Sequence, residues 1–285
     1  MKFYSPLRYP GGKNCIFKFV SSLFIENNLV GYSYAEPYAG GCGLALRLLF
    51  EEYVEKIYIN DLDIAIYAFW VSIIERNDEF CSWLESVEIN IDTWKKYKKI
   101  YDLKSKNDLF ELAKATFYLN RTNVSGVIKG GVIGGVEQKG KYKIDARFKK
   151  DALIERIQKV ARYKSRIFIS NDDGIKFTTK MNEKPENIFV YLDPPYYKKG
   201  ADLYMNYFSE NDHGNLSRYV KTMNKKWMVS YDNNEFILNL YAEINRVIYQ
   251  LSQSTSNRVG DEVLMFSDAL SFRESINNLN EPILL

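Results

Sequence analysis

Histidine is almost absent from this chain of 285 residues, and His213 is the only one. This excludes a catalytic triad built on histidine and a metal site made from several histidines. Cys15, Cys42 and Cys81 lack the paired spacing of a zinc site or a disulfide framework, so we expect reduced thiols and no bound metal. A signal peptide and a long apolar run are also lacking, which predicts a cytoplasmic protein without a membrane partner.

Net charge is small, at +3, but it is unevenly distributed. Between Arg76 and Arg166 there are 21 lysine and arginine residues against 12 acids, a surplus of 9, whereas the rest of the chain has an acidic excess of 6. A basic segment in an otherwise acidic chain favours a polyanion as the partner of that segment. A solvated lysine-rich face is the alternative explanation for the same composition.

The most informative stretch begins with a mostly apolar run at residues 187–192, which is typical of a strand buried in a parallel sheet. Asp193-Pro194-Pro195-Tyr196 follows it, and open α/β sheets bind ligands beyond the carboxyl ends of their strands. Because neither proline has an N–H, the Asp193 carboxylate and the Pro194 carbonyl present acceptors beside the flat ring of Tyr196. This combination suits a planar exocyclic amine such as N6 of adenine. A proline-rich turn that merely caps a strand is the alternative.

Two glycine-containing segments lie nearer the N-terminus, and glycine lets a backbone approach a ligand closely. The first is Tyr9-Pro10-Gly11-Gly12-Lys13, and the second is Glu36-Pro37-Tyr38-Ala39-Gly40-Gly41. A strand pattern precedes the second segment and a helix pattern follows it, as in nucleotide-binding turns. It lacks the Lys-Ser/Thr pair of a phosphate-binding loop. Each segment alone is a weak signal, since an ordinary turn before a helix would look similar.

Acidic residues end two further predicted strands. Asp61, with Asp63 as the competing candidate, follows the apolar run at 57–59, where an acid can bind both hydroxyls of a ribose. Either residue would also serve as the N-cap of the helix that follows. Asp172 and Asp173 end the next strand-like run of the main domain, so two candidates are open at that position as well.

Together these motifs resemble the Dam-like DNA adenine-N6 methyltransferases, whose signature is Asp-Pro-Pro-Tyr at the corresponding place. The resemblance spans nearly the whole chain and implies methyl transfer from S-adenosylmethionine to N6 of adenine in duplex DNA. It implies catalytic roles for Asp193, Pro194, Pro195 and Tyr196. It implies cofactor contacts for Tyr9, Lys13, Glu36, Pro37, Gly40, Gly41, Asp61, Asp173 and Asp193.

The resemblance also divides the chain into two parts. Residues 1–75 and 166–285 form the expected methyltransferase domain, and residues 76–165 form an inserted target-recognition domain that contains the basic surplus. Polar, amide-rich side chains suit base edges and lysines suit phosphates, although a basic loop without a readout role is the alternative. The predicted DNA-binding residues are Arg121, Asn123, Ser125, Lys129, Lys141 and Lys143.

The fold we expect is α/β: a Rossmann-like methyltransferase sheet of about seven strands with an inserted, mainly helical recognition domain. Strand-like runs at 243–251 and 262–266 would form a closing antiparallel hairpin, and a loop at 198–204 would close over the site. An RNA adenine-N6 methyltransferase and a catalytically silent DNA-binding protein on the same scaffold remain as alternatives. Duplex DNA is the expected partner, and a cognate restriction endonuclease is a further candidate partner.

Overall fold

The protein is built around a central sheet. The structure is a computed structural model, and it describes residues 2–9, 11–104, 108–197, 208–253 and 258–285. The loop expected at 198–204 lies outside the described residues. The strands in chain order are β1 (Ser33–Glu36), β2 (Ile57–Asn60), β3 (Ile167–Ser170), β4 (Ile188–Leu192), β5 (Lys226–Asp232), β6 (Asn245–Gln253), β7 (Arg258–Phe266) and β8 (Ile283–Leu284).

These eight strands form one sheet with the spatial order β3-β2-β1-β4-β5-β7-β6-β8. The neighbours from β3 to β5 are parallel, whereas β7 is antiparallel to β5, and β6 is antiparallel to both β7 and β8. The closing hairpin predicted at 243–251 and 262–266 is the β6–β7 pair. The predicted α/β class is confirmed, and the short edge strand β8 is additional to the seven strands expected.

Helices connect the strands and cover both faces of the sheet. They are α1 (Phe17–Glu26), α2 (Gly43–Phe50), α3 (Ile64–Glu75), α4 (Asn77–Ser86), α5 (Ile91–Leu103), α6 (Leu109–Thr122), α7 (Lys150–Arg162), α8 (Gly174–Glu183), α9 (Glu210–Lys221) and α10 (Glu235–Leu240).

Side-chain oxygens at helix N-termini explain where several helices begin. Asp63, Asn90, Asp108 and Asp173 accept hydrogen bonds from N–H groups in the first turns of α3, α5, α6 and α8. Each cap of this kind typically contributes about 1 kcal/mol to helix stability. Two of them, Asp63 and Asp173, are also candidate site residues, so the signal that starts the helix also fixes these acids at the edge of the sheet.

Both faces of the sheet are buried, as β4 shows most clearly. Its five residues are all buried. Phe189 and Tyr191 contact the hydrophobic cluster formed with α1 to α7, and Ile188, Val190 and Leu192 contact the cluster formed with α8 to α10. A strand buried on both faces needs apolar residues at successive positions, which explains the continuous apolar run in the sequence.

The insertion is mainly helical, as predicted, and it packs onto the sheet's helical layer. Its helices α4 to α7 lie between α3 and β3 in the chain, and their buried residues share one cluster with α1 to α3. Phe69 of α3 stacks on Phe117 of α6 with ring centroids 5.5 Å apart and an interplanar angle of 3°. Phe80 of α4 meets both rings edge-on. The inserted segment is therefore anchored to α3 by aromatic packing.

The strand order places the site. The chain leaves β1 towards β2 and β3 on one side, while β4 and β5 lie on the other side. Open α/β sheets bind ligands at such a switch point, beyond the carboxyl ends of the strands. The loops that follow β1 and β4 start at this point, and they carry the glycine segment and Asp193.

Candidate active site

A cavity of about 340 Å³ opens at the carboxyl edge of the sheet. Its walls come from the N-terminal segment, from the loops after β1, β2, β3 and β4, and from residues 126–129 of the insertion. Most of the predicted cofactor residues line it: Tyr9, Lys13, Glu36, Pro37, Gly41, Asp61, Asp173 and Asp193. The remaining one, Gly40, donates its backbone N–H to Asp61 Oδ2 at 2.9 Å. The structure thus brings these residues together from five separate parts of the chain.

Tyr9 lies directly against the glycine loop. A Cβ at Gly40 would come within 2.6 Å of the Tyr9 ring, and a Cβ at Gly41 would come within 2.5 Å of the Tyr9 Cβ. Gly40 also has a φ of +45°, which favours glycine. Both glycines are therefore required by the close approach of Tyr9, which fixes this loop above the start of α2.

Asn60, at the end of β2, ties three loops of this edge together and was not singled out from the sequence. Its amide donates to the carbonyls of Pro37 and Asp172 at 2.9 and 3.0 Å, and its oxygen accepts from the Ser170 hydroxyl at 2.9 Å. A buried asparagine with these partners keeps the ends of β1, β2 and β3 in register. An amide within an apolar strand run is the sequence signal that could have identified it.

Asp61 and Asp63 have different environments. Both Asp61 oxygens accept backbone N–H groups, from Gly40 and from Asp63, each at 2.9 Å. Burial raises the pKa of Asp61 to about 6, and these two hydrogen bonds oppose the shift. Asp63 instead caps α3 through Ala65 and pairs with Lys104 Nζ at 2.7 Å. Because a carboxylate oxygen can accept a second bond, Asp61 is the better candidate for a ligand hydroxyl.

The contacts of Asp172 and Asp173 also distinguish these two candidates from each other. Asp172 pairs with Lys180 at 2.6 Å and does not line the cavity, whereas Asp173 lines it and caps α8. Next to it, Gly174 leaves space for Tyr38, since a Cβ there would lie 2.5 Å from that ring. The geometry favours Asp173 as the acid that faces a ligand.

Lys13 and Asp193 form a buried ion pair at the centre of the site. Lys13 Nζ lies 2.9 Å from Oδ1 and 3.0 Å from Oδ2 of Asp193. Ser230 on β5 donates to Asp193 Oδ1 at 2.7 Å. The Lys13 side chain is 4% exposed and that of Asp193 is 23% exposed, so the carboxylate is the more open member of the pair, although both residues line the cavity. Burial raises the pKa of Asp193, and the positive charge of Lys13 opposes this shift.

Glu36 is a second acid at the cavity with a raised pKa. Burial raises the pKa of Glu36 to about 8, a hydrogen bond from Tyr34 opposes the shift, and the charge of Asp193 adds to it. The Tyr34 hydroxyl donates to Glu36 Oε1 at 2.8 Å. A carboxyl group with this pKa changes its charge readily when a cation enters its surroundings.

The cavity lining is acidic overall. It includes five acidic residues, Glu36, Asp61, Asp63, Asp173 and Asp193, against two lysines, Lys13 and Lys129, and Glu36 becomes charged only as the pH approaches about 8. Such a lining attracts a cationic ligand and repels phosphates.

The proline–tyrosine part of the motif is only partly open to the cavity. Pro195 lines it, whereas Pro194 and Tyr196 do not. The residue Tyr196 is 8% exposed, and Lys13 Nζ lies 4.9 Å from its ring centroid. The ring of Tyr196 therefore packs inside the protein in this structure, so stacking on a base requires the ring to become accessible when DNA binds.

Arg121 and Asn123 differ from the expectation that they read base edges. Arg121 is 6% exposed, donates to the Pro6 carbonyl, and has a pKa lowered to about 9, chiefly by burial. Asn123 is fully buried, accepts from Trp94 Nε1 at 2.7 Å and donates to the Ile128 carbonyl at 2.7 Å. In this structure the Arg121 side chain is tied to Pro6, outside the insertion, and that of Asn123 to Trp94 and Ile128, inside it, so contact with base edges would require either side chain to be uncovered.

The other predicted DNA-binding residues lie closer to the surface. Ser125 is half-buried with a φ of 55° in the turn before Gly126, and Lys129, Lys141 and Lys143 are exposed. Lys129 also lines the cavity. Lys143 lies at a separate groove, beside residues 86–90.

The described ranges of the chain contain neither a clustered metal site nor a membrane-spanning helix. Within those ranges, His, Cys, Asp and Glu side chains form no group of three or more that could hold a metal ion. No helix in that part of the chain is both long enough and apolar enough to cross a membrane.

The strand order, the glycine loop after β1 and the acid after β2 define a methyltransferase-type α/β enzyme. Residues 9–258 match the family of D12 class N6 adenine-specific DNA methyltransferases, and the chain belongs to that family. It is thus an adenine-specific DNA methyltransferase that methylates N6. The chain is also similar to the Type II methyltransferase M.CviBI of Paramecium bursaria Chlorella virus NC1A, with 25% identity over 235 residues that cover 81% of this chain and 86% of that protein.

The buried role of Asn123 is testable. Asn123→Ala should lower the free energy of unfolding by about 1–3 kcal/mol for each buried partner left unpaired, among them the Trp94 N–H and the Ile128 carbonyl. Urea unfolding gives this value, with the exposed Asn215→Ala as the matched control. An Asn123→Ala protein of unchanged stability but relaxed sequence preference would restore the base-reading role.

Proposed function

We propose that the cavity binds S-adenosylmethionine and that Asp193 presents its carboxylate to N6 of an adenine flipped out of duplex DNA. The observation that carries this proposal is the contrast within the ion pair: Lys13 is buried, while its partner Asp193 is open to an acid-rich cavity. Methyltransferases generally use S-adenosylmethionine, and its sulfonium and ammonium charges match the acidic lining.

The residues around the cavity fit this cofactor. Asp61 would bind the ribose hydroxyls, and Asp173 would accept from the amino group of the adenine ring. Glu36 lies between the glycine loop and Asp193, where a carboxylate would face the charged amino acid portion. Tyr9, Gly40 and Gly41 would form the part of the cavity wall where the backbone comes close to the ligand. When bound, S-adenosylmethionine supplies a methyl group that is activated because it is attached to a sulfonium, which makes the sulfur a strong leaving group.

Asp193 has the free capacity that the reaction needs. Its Oδ1 already accepts from Ser230 and Lys13, whereas Oδ2 accepts from Lys13 at 3.0 Å and has a further lone pair. A bond from N6–H to this oxygen would draw electron density onto the nitrogen and orient its lone pair, which is otherwise delocalised into the ring. The Pro194 carbonyl, which follows Asp193 directly in the chain, is the proposed second acceptor.

The target base must leave the helix to reach this carboxylate. Flipping a base costs a few kcal/mol, and an aromatic face beside the base recovers part of that cost. We assign this face to Tyr196, which requires its buried ring to be uncovered in the DNA complex.

The insertion at 76–165 is proposed as the target-recognition domain, with residues 1–75 and 166–285 as the catalytic domain. Lys129 at the cavity and the exposed Lys141 and Lys143 elsewhere on the insertion would contact phosphates, and Ser125 would face the DNA. Asn123 would act indirectly, by holding the turn that carries Ser125 and Lys129, and Arg121 by tying the insertion to Pro6 of the N-terminal segment. A restriction endonuclease is a proposed partner because the viral relative is a Type II methyltransferase.

Binding of the cofactor should depend on the charge of Asp61. Asp61→Asn should weaken S-adenosylmethionine binding, because each lost charge-assisted bond is worth about 1.5–3 kcal/mol. In the unmutated protein the affinity should fall as pH drops through about 6, where Asp61 gains its proton, and this fall should vanish in the variant.

Calorimetry between pH 5 and pH 7 would measure both effects, at pH values about one unit or more below the pKa of about 8 at Glu36. Asp172→Asn is the matched control, since that acid lies one loop residue from Asp173 and outside the cavity. Unchanged affinity in a folded Asp61→Asn protein would remove the ribose role from this residue.

The basic insertion should account for part of the salt dependence of DNA binding. Replacing Lys129, Lys141 or Lys143 by glutamine should each lower the slope of log K against log salt by about 0.9, equally on target and random duplexes. Fluorescence anisotropy at several salt concentrations measures the slope. Lys221→Gln is the control, because the end of α9 precedes β5 and lies at the opposite edge of the sheet. Slopes that match this control in all three variants would contradict the phosphate assignment.

A further inference from the structure

Glu262 is an acidic residue within the buried part of β7. Its side chain is 7% exposed, and the next residues along the strand, Val263 and Leu264, are fully buried. A buried carboxylate without partners costs several kcal/mol, so its partners are informative. Tyr249 on β6 donates its hydroxyl to Glu262 Oε2 at 2.7 Å, and Lys13 Nζ lies 3.8 Å from the same oxygen.

Lys13 therefore lies between two carboxylates that come from different parts of the fold. Asp193 is 2.9 Å away on the cavity side, and Glu262 is 3.8 Å away on the side of the closing hairpin. Side-chain exposure is 4% for Lys13 and 7% for Glu262 but 23% for Asp193. Glu262 cannot touch the substrate from this position, so any influence on the reaction passes through Lys13 and Asp193.

The second carboxylate changes what the lysine does to the first. If Lys13 paired with Asp193 alone, its full positive charge would act on that carboxylate and make it a weaker hydrogen-bond acceptor. The negative charge of Glu262 works in the opposite direction, since it raises the pKa of Asp193 while Lys13 lowers it. A network of this kind keeps the lysine in place yet leaves the exposed carboxylate available to a ligand.

We propose that Glu262, oriented by Tyr249, is a positioning residue for the methyl transfer: it holds Lys13 and draws part of its charge away from Asp193, so that Asp193 can accept from N6. This inference rests on the proposed role of Asp193. The groups that face Asp193 or its partners are Lys13, Cys15, Glu36, Tyr191, Tyr196, Tyr231, Tyr249 and Glu262.

The test is the pH profile of single-turnover methylation, at saturating S-adenosylmethionine and a saturating DNA duplex. Glu262→Gln keeps the shape and removes the charge. It should lower the plateau rate on the order of 10-fold, less than the about 100- to 1,000-fold typical of a group that contacts the reacting atoms. It should also move the acid limb of the profile to lower pH, because the pKa of Asp193 falls when the neighbouring negative charge is lost. Glu262→Asp, which keeps the charge, should return the acid limb towards its original position.

Asp261→Asn is the matched control, because it removes one negative charge from an exposed neighbour on the same strand. It should leave rate and profile unchanged. A reduced rate in Glu262→Gln with an unmoved acid limb would show a purely structural role and overturn the proposal, as would an unchanged rate.

If circular dichroism shows that Glu262→Gln does not fold, Tyr249→Phe decides the question. It removes the hydrogen bond and leaves the Glu262 charge less compensated, so the rate should fall several-fold and the acid limb should move to higher pH, opposite to Glu262→Gln. An unmoved acid limb or an unchanged rate would overturn the proposal. Asp193→Asn in the same assay tests the assignment on which the inference rests: a fully active Asp193→Asn protein would remove the acceptor role itself, whatever Glu262 does.

Discussion

The buried ion pair between Lys13 and Asp193 is the interaction on which the rest of the site depends. It joins residues 180 positions apart and ties the N-terminal segment to the end of β4. Removing one partner of a buried pair is costly, typically about 3–5 kcal/mol, because the other charge is left uncompensated. Apolar residues can often replace a buried ion pair without loss of stability, but here the lysine fixes a carboxylate that is open to the cavity.

The sheet supplies the geometry that this charge needs. Because β1 and β4 are neighbours at the switch point, the glycine loop, Glu36 and Asp193 meet at one place, and Asp61 and Asp173 join them from β2 and β3. Helix capping fixes Asp63 and Asp173, and Asn60 locks the loops between them. An acid-rich cavity formed in this way suits a positively charged methyl donor, while the basic insertion beside it suits DNA. With the proposed assignments, the two ligands would be separated by the sign of the charge that binds them.

Much of this arrangement could be predicted from sequence because the signals are local. Apolar runs predicted the strands, and the acids and glycines that follow these runs predicted the residues of the cavity wall. The choice between Asp61 and Asp63 depended on which one caps α3, and spacing alone leaves both possible. Arg121 and Asn123 have the composition of base-reading residues, yet tertiary packing buries them under Pro6 and against Trp94. The position of Glu262 near Lys13 could not be predicted from sequence, because it depends on the pairing of β7 with β5, which are distant segments of the chain.

A double-mutant cycle on Lys13 and Asp193 tests the central claim most directly. Single-turnover methylation of adenine would be measured for Asp193→Asn, Lys13→Met and the double variant, with cofactor saturation checked for each. If the two residues act as one unit, Asp193→Asn should lose about 100- to 1,000-fold in rate and the double variant should be no slower than Asp193→Asn alone. Losses that multiply in the double variant, or an Asp193→Asn protein that methylates at nearly the full rate, would contradict the account.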